Sequence, residues 1–279
     1  MLFYRTRFLL PVLASLALSA CFASRKPDIP PALVAPAPVK LKIGLALGGG
    51  AARGFAHIGV IKMLEASGIH AEVVAGTSAG SVVGALYASG MDPFQLQQTA
   101  FGLDEAKIRD VRLFSGGLVR GKALQDYVNH LVHHQPIERL KLPFAAVSTQ
   151  LETGSRTVFI SGNTGQAVRA SSSIPGVFEP VEIRGKHYVD GGVVSPIPVD
   201  AARQLGADFV IAVDISARPA GTNPQGMFNI MGQSITIMGR ELARQEIARA
   251  DVVIRPDLSG IGPADFEQKD LAILAGEKA

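Results

Sequence analysis

Gly76-Thr77-Ser78-Ala79-Gly80 sits between two stretches of different character. Before it, Ala71 to Ala75 is short and apolar, as a buried strand is. After it, Ala79 to Ser89 is a run of small and apolar residues closed by Gly90, as a helix is. A strand that turns sharply into a helix holds the central residue of the turn in strained backbone geometry, and small residues two positions to either side prevent clashes. Such a turn pushes the Ser78 hydroxyl outward and aims a helix N-terminus at any negative charge that develops beside it. An ordinary Gly/Ser loop can carry the same five letters. The strand before and the helix after favour the strained turn, with Ser78 as a candidate nucleophile.

Upstream, Lys42-Ile43-Gly44-Leu45-Ala46-Leu47 is an apolar run that ends in Gly48-Gly49-Gly50-Ala51-Ala52-Arg53-Gly54. The run reads as a buried parallel strand, and a helix follows from about Phe55, with Ile58, Ile61 and Leu64 on one face and Gly68 past its end. Consecutive glycines let backbone N–H groups converge on one point, which suits an anion. A dinucleotide fingerprint fails because Arg53 occupies its third glycine position. A phosphate loop fails because Phe55 stands where lysine is required. An oxyanion hole built from Gly48, Gly49 and Gly50 survives. For Arg53 three roles stay open: orienting the loop, meeting a lipid phosphate, or forming a structural ion pair.

Downstream, Asp190-Gly191-Gly192 follows Lys186-His187-Tyr188-Val189. A carboxylate at a strand end, with glycines allowing close approach, can act as general base toward a serine. Histidine positions test the alternative. In an α/β-hydrolase the triad runs serine, acid, histidine along the chain, yet no histidine follows His187, so Asp190 is not the acid of such a triad; an esterase triad using His187 itself stays open, though that residue lies far from the C-terminal end. His57, His70, His130, His133 and His134 show no metal-ligand spacing and read as surface or helix positions. A Ser78–Asp190 pair fits better, and no metal or organic cofactor follows from these residues.

The rest of the chain extends the alternation. Helices are expected after Asp92-Pro93, over Lys122–His134, Val199–Leu205 and Gln233–Arg249, and from about Pro263. Strands are expected over Phe144–Thr149, Arg156–Ile160, His187–Val189, Phe209–Asp214 and Val252–Arg255. This pattern predicts an α/β fold of one domain over 41–279, three layers deep, with a mainly parallel central sheet. At 47% hydrophobic and 18% charged residues the chain can bury a sizeable core. Its net charge of +3 falls to +1 without Arg5 and Arg7, and it lacks a dense basic patch, which argues against a nucleic-acid partner.

Arg5 and Arg7 precede an apolar stretch, Phe8 to Leu18, too short to span a bilayer. It ends in Leu18-Ser19-Ala20-Cys21, and Cys21 is the only cysteine. Residues 1–20 resemble a bacterial lipoprotein signal, which implies cleavage before Cys21 and acylation of that residue as a membrane anchor. With no Asp after Cys21, the resemblance implies the outer membrane, facing the periplasm, in a Gram-negative host. Residues 21–40 continue as a linker, with five prolines after the cysteine.

The glycine loop, the serine turn and Asp-Gly-Gly, in this order, resemble the patatin-like phospholipase family. The likeness runs from about Lys42 to at least Asp214. It includes Arg169-Ala170-Ser171-Ser172-Ser173-Ile174-Pro175-Gly176-Val177-Phe178, similar to the family segment packed beside the active site, and Tyr188 to Pro198. The resemblance implies a lipid acyl hydrolase in which Ser78 attacks a fatty acyl ester, Asp190 is its base partner and the loop amides hold the oxyanion. Arg53, Gly54, Gly76, Gly80, Gly191 and Gly192 are carried over as motif positions. No lid or accessory domain is evident. The rival is a membrane-tethered lipid-binding protein that keeps the fold without turnover.

Overall fold

The computed structural model describes residues 41–104, 111–115, 117–217 and 226–279, and Leu41–Ala279 clusters as one compact unit. The expected signal segment, Cys21 and the Pro-rich linker lie outside the described residues. Among those described, no helix is long and apolar enough to cross a membrane.

The strands are β1 (Ile43–Leu47), β2 (Val73–Thr77), β3 (Val111–Ser115), β4 (Gly117–Val119), β5 (Phe144–Gln150), β6 (Arg156–Phe159), β7 (Val181–Ile183), β8 (Lys186–Asp190), β9 (Phe209–Val213) and β10 (Val252–Ile254). The helices are α1 (Ala56–Ala66), α2 (Ala79–Ala88), α3 (Pro93–Phe101), α4 (Lys122–Leu131), α5 (Thr164–Ser171), α6 (Val199–Gln204), α7 (Met227–Ile247) and α8 (Lys269–Lys278). A 3₁₀ turn, Ala51–Phe55, leads into α1. Asp92 begins α3 with a reciprocal capping box, its carboxylate accepting from Phe94 and Gln95 while the Gln95 side chain accepts from its amide.

The main sheet runs β10-β9-β1-β2-β5-β8-β7, with β6 paired to β5. Pairing is parallel from β10 through β5 and antiparallel where β6, β7 and β8 join, so the sheet is mixed but mostly parallel. Alternate strand residues face opposite layers, as the pleat requires. Leu45, Leu47, Val74, Phe144, Ile211 and Val213 pack against α1 to α5 and α8. Ala46, Val73, Ala75, Val147, Val210 and Ala212 pack against α6 and α7. This is the expected three-layer arrangement. The strand order reverses at β1, with β2 and β5 on one side and β9 and β10 on the other. Ligands of open α/β sheets bind beyond the carboxyl ends of strands at such a reversal.

Several boundaries differ from expectation. α7 begins at Met227, not Gln233, and α4 ends at Leu131, not His134. The β3–β4 hairpin, β7 and α5 were not anticipated. β7 and β8 are joined by Arg184-Gly185, both at positive φ (53° and 73°), the geometry of a two-residue hairpin turn.

Candidate active site

Ser78 is the last residue before α2 and has φ 53° and ψ −124°, a conformation that L-residues other than glycine rarely hold. The expected strained turn is present. Its tightness explains the flanking glycines: a Cβ on Gly80 would lie 2.1 Å from the Leu47 carbonyl oxygen, and one on Gly76 2.4 Å from the Gly80 oxygen. The Ser78 amide donates to Ser171 Oγ at 2.9 Å, and that hydroxyl donates to the Val147 carbonyl at 2.5 Å. Ala79 and Gly80 open the helix, so its positive end faces the serine.

Asp190 ends β8 and meets Ser78 through the sheet. β2 pairs with β5 as far as Thr77 opposite Val147, and β8 pairs with the next residue, Asp190 opposite Ser148. β6 pairs with β5 at these same residues and occupies its other edge. β2 and β8 therefore approach from opposite directions along a single edge of β5 and stop head to head. Ser78 and Asp190 line one cavity, and the Ser78 side chain is near enough to pull the Asp190 pKa down. Asp190 Oδ1 accepts the Gly192 amide at 2.6 Å, and the Asp190 amide donates to the Ser173 carbonyl at 2.8 Å. Ser171 and Ser173 thus brace the two candidate residues from the end of α5, which places the Arg169–Phe178 segment beside the site. Gly191 lets the chain turn there, since a Cβ would sit 2.2 Å from the Val147 oxygen. Burial raises the Asp190 pKa to about 6, against the lowering pull of the nearby Ser78 side chain and of the bond from the Gly192 amide.

The glycine loop divides. The Gly48 amide donates to Val213 (3.1 Å) and the Gly49 amide to Pro196 (3.0 Å). Among the described residues no partner engages the Gly50 or Ala51 amide, and Ala51 has φ 51°. Arg53 Nε donates to the Ile261 carbonyl at 2.7 Å, with Asp265 nearby, which ties the loop to the segment before α8. Of the three roles open to Arg53, orienting the loop has the direct contact. Gly54 packs closely under Ala79: a Cβ there would lie 2.6 Å from the Ala79 Cβ.

Two buried titratable groups escaped the sequence reading. His57, expected at a surface or helix position, is on a helix but fully buried, and desolvation lowers its pKa to about 4. It is therefore neutral, and its Nε2–H donates to the Gly48 carbonyl at 2.8 Å. Glu246 on α7 is 4% exposed and accepts from Ser195 Oγ and, at 2.8 Å, from the Ile197 amide. The segment it grips is central. The Ser195 carbonyl accepts from Thr77 Oγ1 at 2.8 Å, Pro196 accepts from Gly49, and the Ser195 amide donates to Gly191 at 2.8 Å. Burial raises the Glu246 pKa to about 7. Both residues sit among apolar neighbours at helical spacing, His57 with Val60 and Ile61, Glu246 with Leu242 and Ala243. That spacing is the signal that could have marked them.

Ser78 opens on two cavities. One, of about 720 Å³ including its mouth, is walled by apolar side chains such as Phe55, Val82, Leu124, Phe178 and Phe266. The other, of about 820 Å³, contains Asp190 and reaches Thr236 and Arg240 on α7. None of His70, His130, His133, His134 or His187 lines either cavity. His187 Nδ1 instead contacts Glu152 at 2.8 Å on the surface, so a serine–histidine triad is not assembled. Among the described residues no cluster of three or more His, Cys, Asp or Glu side chains is placed to hold a metal.

The family model for patatin-like phospholipase matches residues 45–203, more than half of the chain. The chain belongs to the patatin-like phospholipase family. An uncharacterized NTE family protein of Mycobacterium bovis is 35% identical over 206 residues, which are 71% of this chain and 56% of the relative. Patatin-like phospholipase domain-containing protein 6 of Mus musculus is 34% identical over 184 residues, 63% of this chain and 14% of that protein. The chain thus spans little more than half the length of the mycobacterial relative. Among solved structures, VipD from Legionella pneumophila superposes with TM-score 0.60 at 16% identity, over 86% of this chain and 66% of that one, a likeness of fold. The patatin-like segment includes Ser78 and Asp190 and ends before α7, so Glu246 and Arg240 lie beyond it.

Proposed function

We propose that this chain hydrolyses fatty acyl esters of membrane lipids, with Ser78 as nucleophile and Asp190 as its base. The observation that carries the reading is the placement of Ser78, on a strained turn, beside Asp190 where β2 and β8 meet on β5, with an apolar cavity at the serine. The acyl chain lies in that cavity. Ser78 Oγ bonds to the acyl carbon as its proton passes to Asp190, and the developing oxyanion meets the Gly50 and Ala51 amides and the N-terminus of α2. The ester C–O bond breaks, and the departing alcohol oxygen takes the proton from Asp190. Water, giving its proton to Asp190, then attacks the acyl-enzyme; the acyl–Oγ bond breaks, Asp190 returns the proton to Ser78 Oγ, and the fatty acid leaves. The two amides that the glycine loop leaves unengaged support Gly50, one of the three glycines expected, and Ala51 as donors, while the Gly48 and Gly49 amides are taken by Val213 and Pro196.

The test is acyl release from phospholipid micelles and short-chain esters by the full chain, with Ser78→Ala and Asp190→Ala. Loss of roughly a thousandfold or more in each variant, with fluorophosphonate labelling that requires Ser78, is expected. A folded wild-type protein that binds lipid but neither labels nor turns over any ester would replace this reading with the non-catalytic lipid-binding one. Acylation of Cys21 and anchoring at the cell envelope, outer-membrane in a Gram-negative host, belong to the same proposal. They rest on the Leu18-Ser19-Ala20-Cys21 sequence, and alkyne-palmitate labelling of the wild type but not of Cys21→Ala tests them.

A further inference from the structure

Three consecutive glycines give Gly48-Gly49-Gly50 no steric preference of its own, so its peptide planes turn freely unless something holds them. One plane is held at both ends. The Gly48 carbonyl accepts from His57 Nε2 at 2.8 Å, and the Gly49 amide of the same peptide donates to the Pro196 carbonyl at 3.0 Å. Pro196 is itself anchored, since Glu246 grips Ser195 and Ile197 on either side of it. The pinned plane runs beside the nucleophile: a Cβ on Gly49 would lie 3.3 Å from the Ser78 Cβ. The next plane carries the Gly50 amide, and beyond it the Gly50 carbonyl accepts from the Arg53 amide at 3.2 Å. Only the Gly49 Cα separates the pinned plane from the Gly50 amide, so turning the one would turn the other.

His57 is an unfavourable choice for packing alone. It is fully buried in the first turn of α1, and among the described residues its Nδ1 has no hydrogen-bond partner. A buried nitrogen without a partner destabilises the folded state, and an apolar side chain would avoid that loss. The bond to Gly48 is what a histidine supplies there and an apolar residue does not. Burial keeps the imidazole neutral down to a pH of about 4, against the pull of the Gly48 bond and of the Asp214 charge. A neutral ring that donates from Nε2 leaves Nδ1 bare, so one tautomer serves throughout the range in which Asp190 titrates.

We propose that His57 is a positioning residue for the oxyanion hole, acting through the Gly48 carbonyl to aim the Gly50 and Ala51 amides at the acyl oxygen. The inference rests on the hydrolase reading and adds to it a residue that touches no substrate. His57 lines neither cavity at Ser78, so it exchanges no proton with the ester. Its contribution is felt only as the acyl oxygen becomes an oxyanion. Losing it therefore lowers kcat/KM and leaves ground-state binding nearly unchanged.

The experiment compares the full-length wild type with His57→Gln, His57→Asn and His57→Leu. Turnover is read with p-nitrophenyl butyrate, the tetrahedral intermediate is mimicked by palmityl trifluoromethyl ketone, and ground-state binding is read with the ether hexadecylglycerol. With the ketone, Ser78 Oγ adds to the carbonyl carbon, its proton passes to Asp190 and the carbonyl oxygen becomes an oxyanion; no leaving group departs. Glutamine can set its amide nitrogen near the place of Nε2 and keep the bond to Gly48. Asparagine presents its amide at the Nδ1 position, and leucine has no donor. In His57→Asn and His57→Leu, kcat/KM and ketone affinity should fall together by on the order of a hundredfold, as for one lost oxyanion-hole donor. Hexadecylglycerol affinity should hold within about twofold. His57→Gln should recover most of the loss, and the limb at pH about 6 should persist in every variant. Should His57→Leu not fold, the contrast between His57→Asn and His57→Gln carries the same test. Equal turnover in those two, or hexadecylglycerol binding lost in step with turnover, would overturn the proposal and leave the hydrolase standing. A wild type that neither turns over ester nor adds the ketone would remove the hydrolase and this proposal together.

Discussion

Replacing Glu246 with glutamine should stabilise the protein at alkaline pH and leave it nearly unchanged at acid pH. Glu246 is buried beneath the segment that joins the serine turn, the glycine loop and the Asp190 turn, and desolvation raises its pKa from 4.5 to about 7. A carboxyl whose pKa is higher folded than unfolded binds more protons in the native state between those two values. Stability therefore falls as pH rises through this window and is lowest above about 7. The gap corresponds to about 3 kcal/mol at 1.36 kcal/mol for each pH unit. Glutamine cannot ionise, and it can still accept the Ile197 amide and face Ser195 Oγ with its own N–H. Allowing about 1 kcal/mol for one weakened hydrogen bond, Glu246→Gln should gain about 2 kcal/mol over wild type at pH 8. Urea unfolding of both proteins at pH 5 and pH 8 measures this. A stability difference equal at the two pH values would refute the reasoning, because it would mean that Glu246 does not change protonation between them.

Two further predictions bear on the site. If Asp190 is the base, it must be ionised, so kcat/KM should rise through pH about 6 and level off above 7; Glu246→Gln should keep that limb, and a profile flat from pH 5 to 8 would count against Asp190. Gly80→Ala would drive a methyl group to 2.1 Å from the Leu47 oxygen, so this small change should cost several kcal/mol, on the order of a severe core mutation, visible as a Tm drop of about 10 °C or more.

The serine turn and the first βα unit were legible because each demands small residues in a fixed order, which leaves a direct trace in the sequence. The antiparallel side of the sheet was less so. The β7–β8 hairpin turns on Arg184-Gly185, and arginine at a position that usually takes Asn, Asp or Gly conceals the turn. α5 escaped because it is short and opens on Thr164-Gly165, which reads as loop; yet its one serine, Ser171, carries the contacts to Ser78 and to the carbonyl of Val147. The roles of Gly48 and Gly49 could not be separated from that of Gly50 by sequence, since the difference lies in partners contributed by Val213 and Pro196, far along the chain. Glu246 follows Arg244 and Gln245, and its neighbours disguise a buried acid as one more solvated charge.

The head-to-head meeting of β2 and β8 on β5 makes Val147 and Ser148 a ruler. The proposed nucleophile and base arrive from distant parts of the chain, yet their spacing is one step along a third strand that supplies neither. Insertions elsewhere in the loops can reshape what enters the cavities without altering that spacing. A single residue inserted between Val147 and Ser148 would part Ser78 from Asp190 while leaving every motif in the sequence intact.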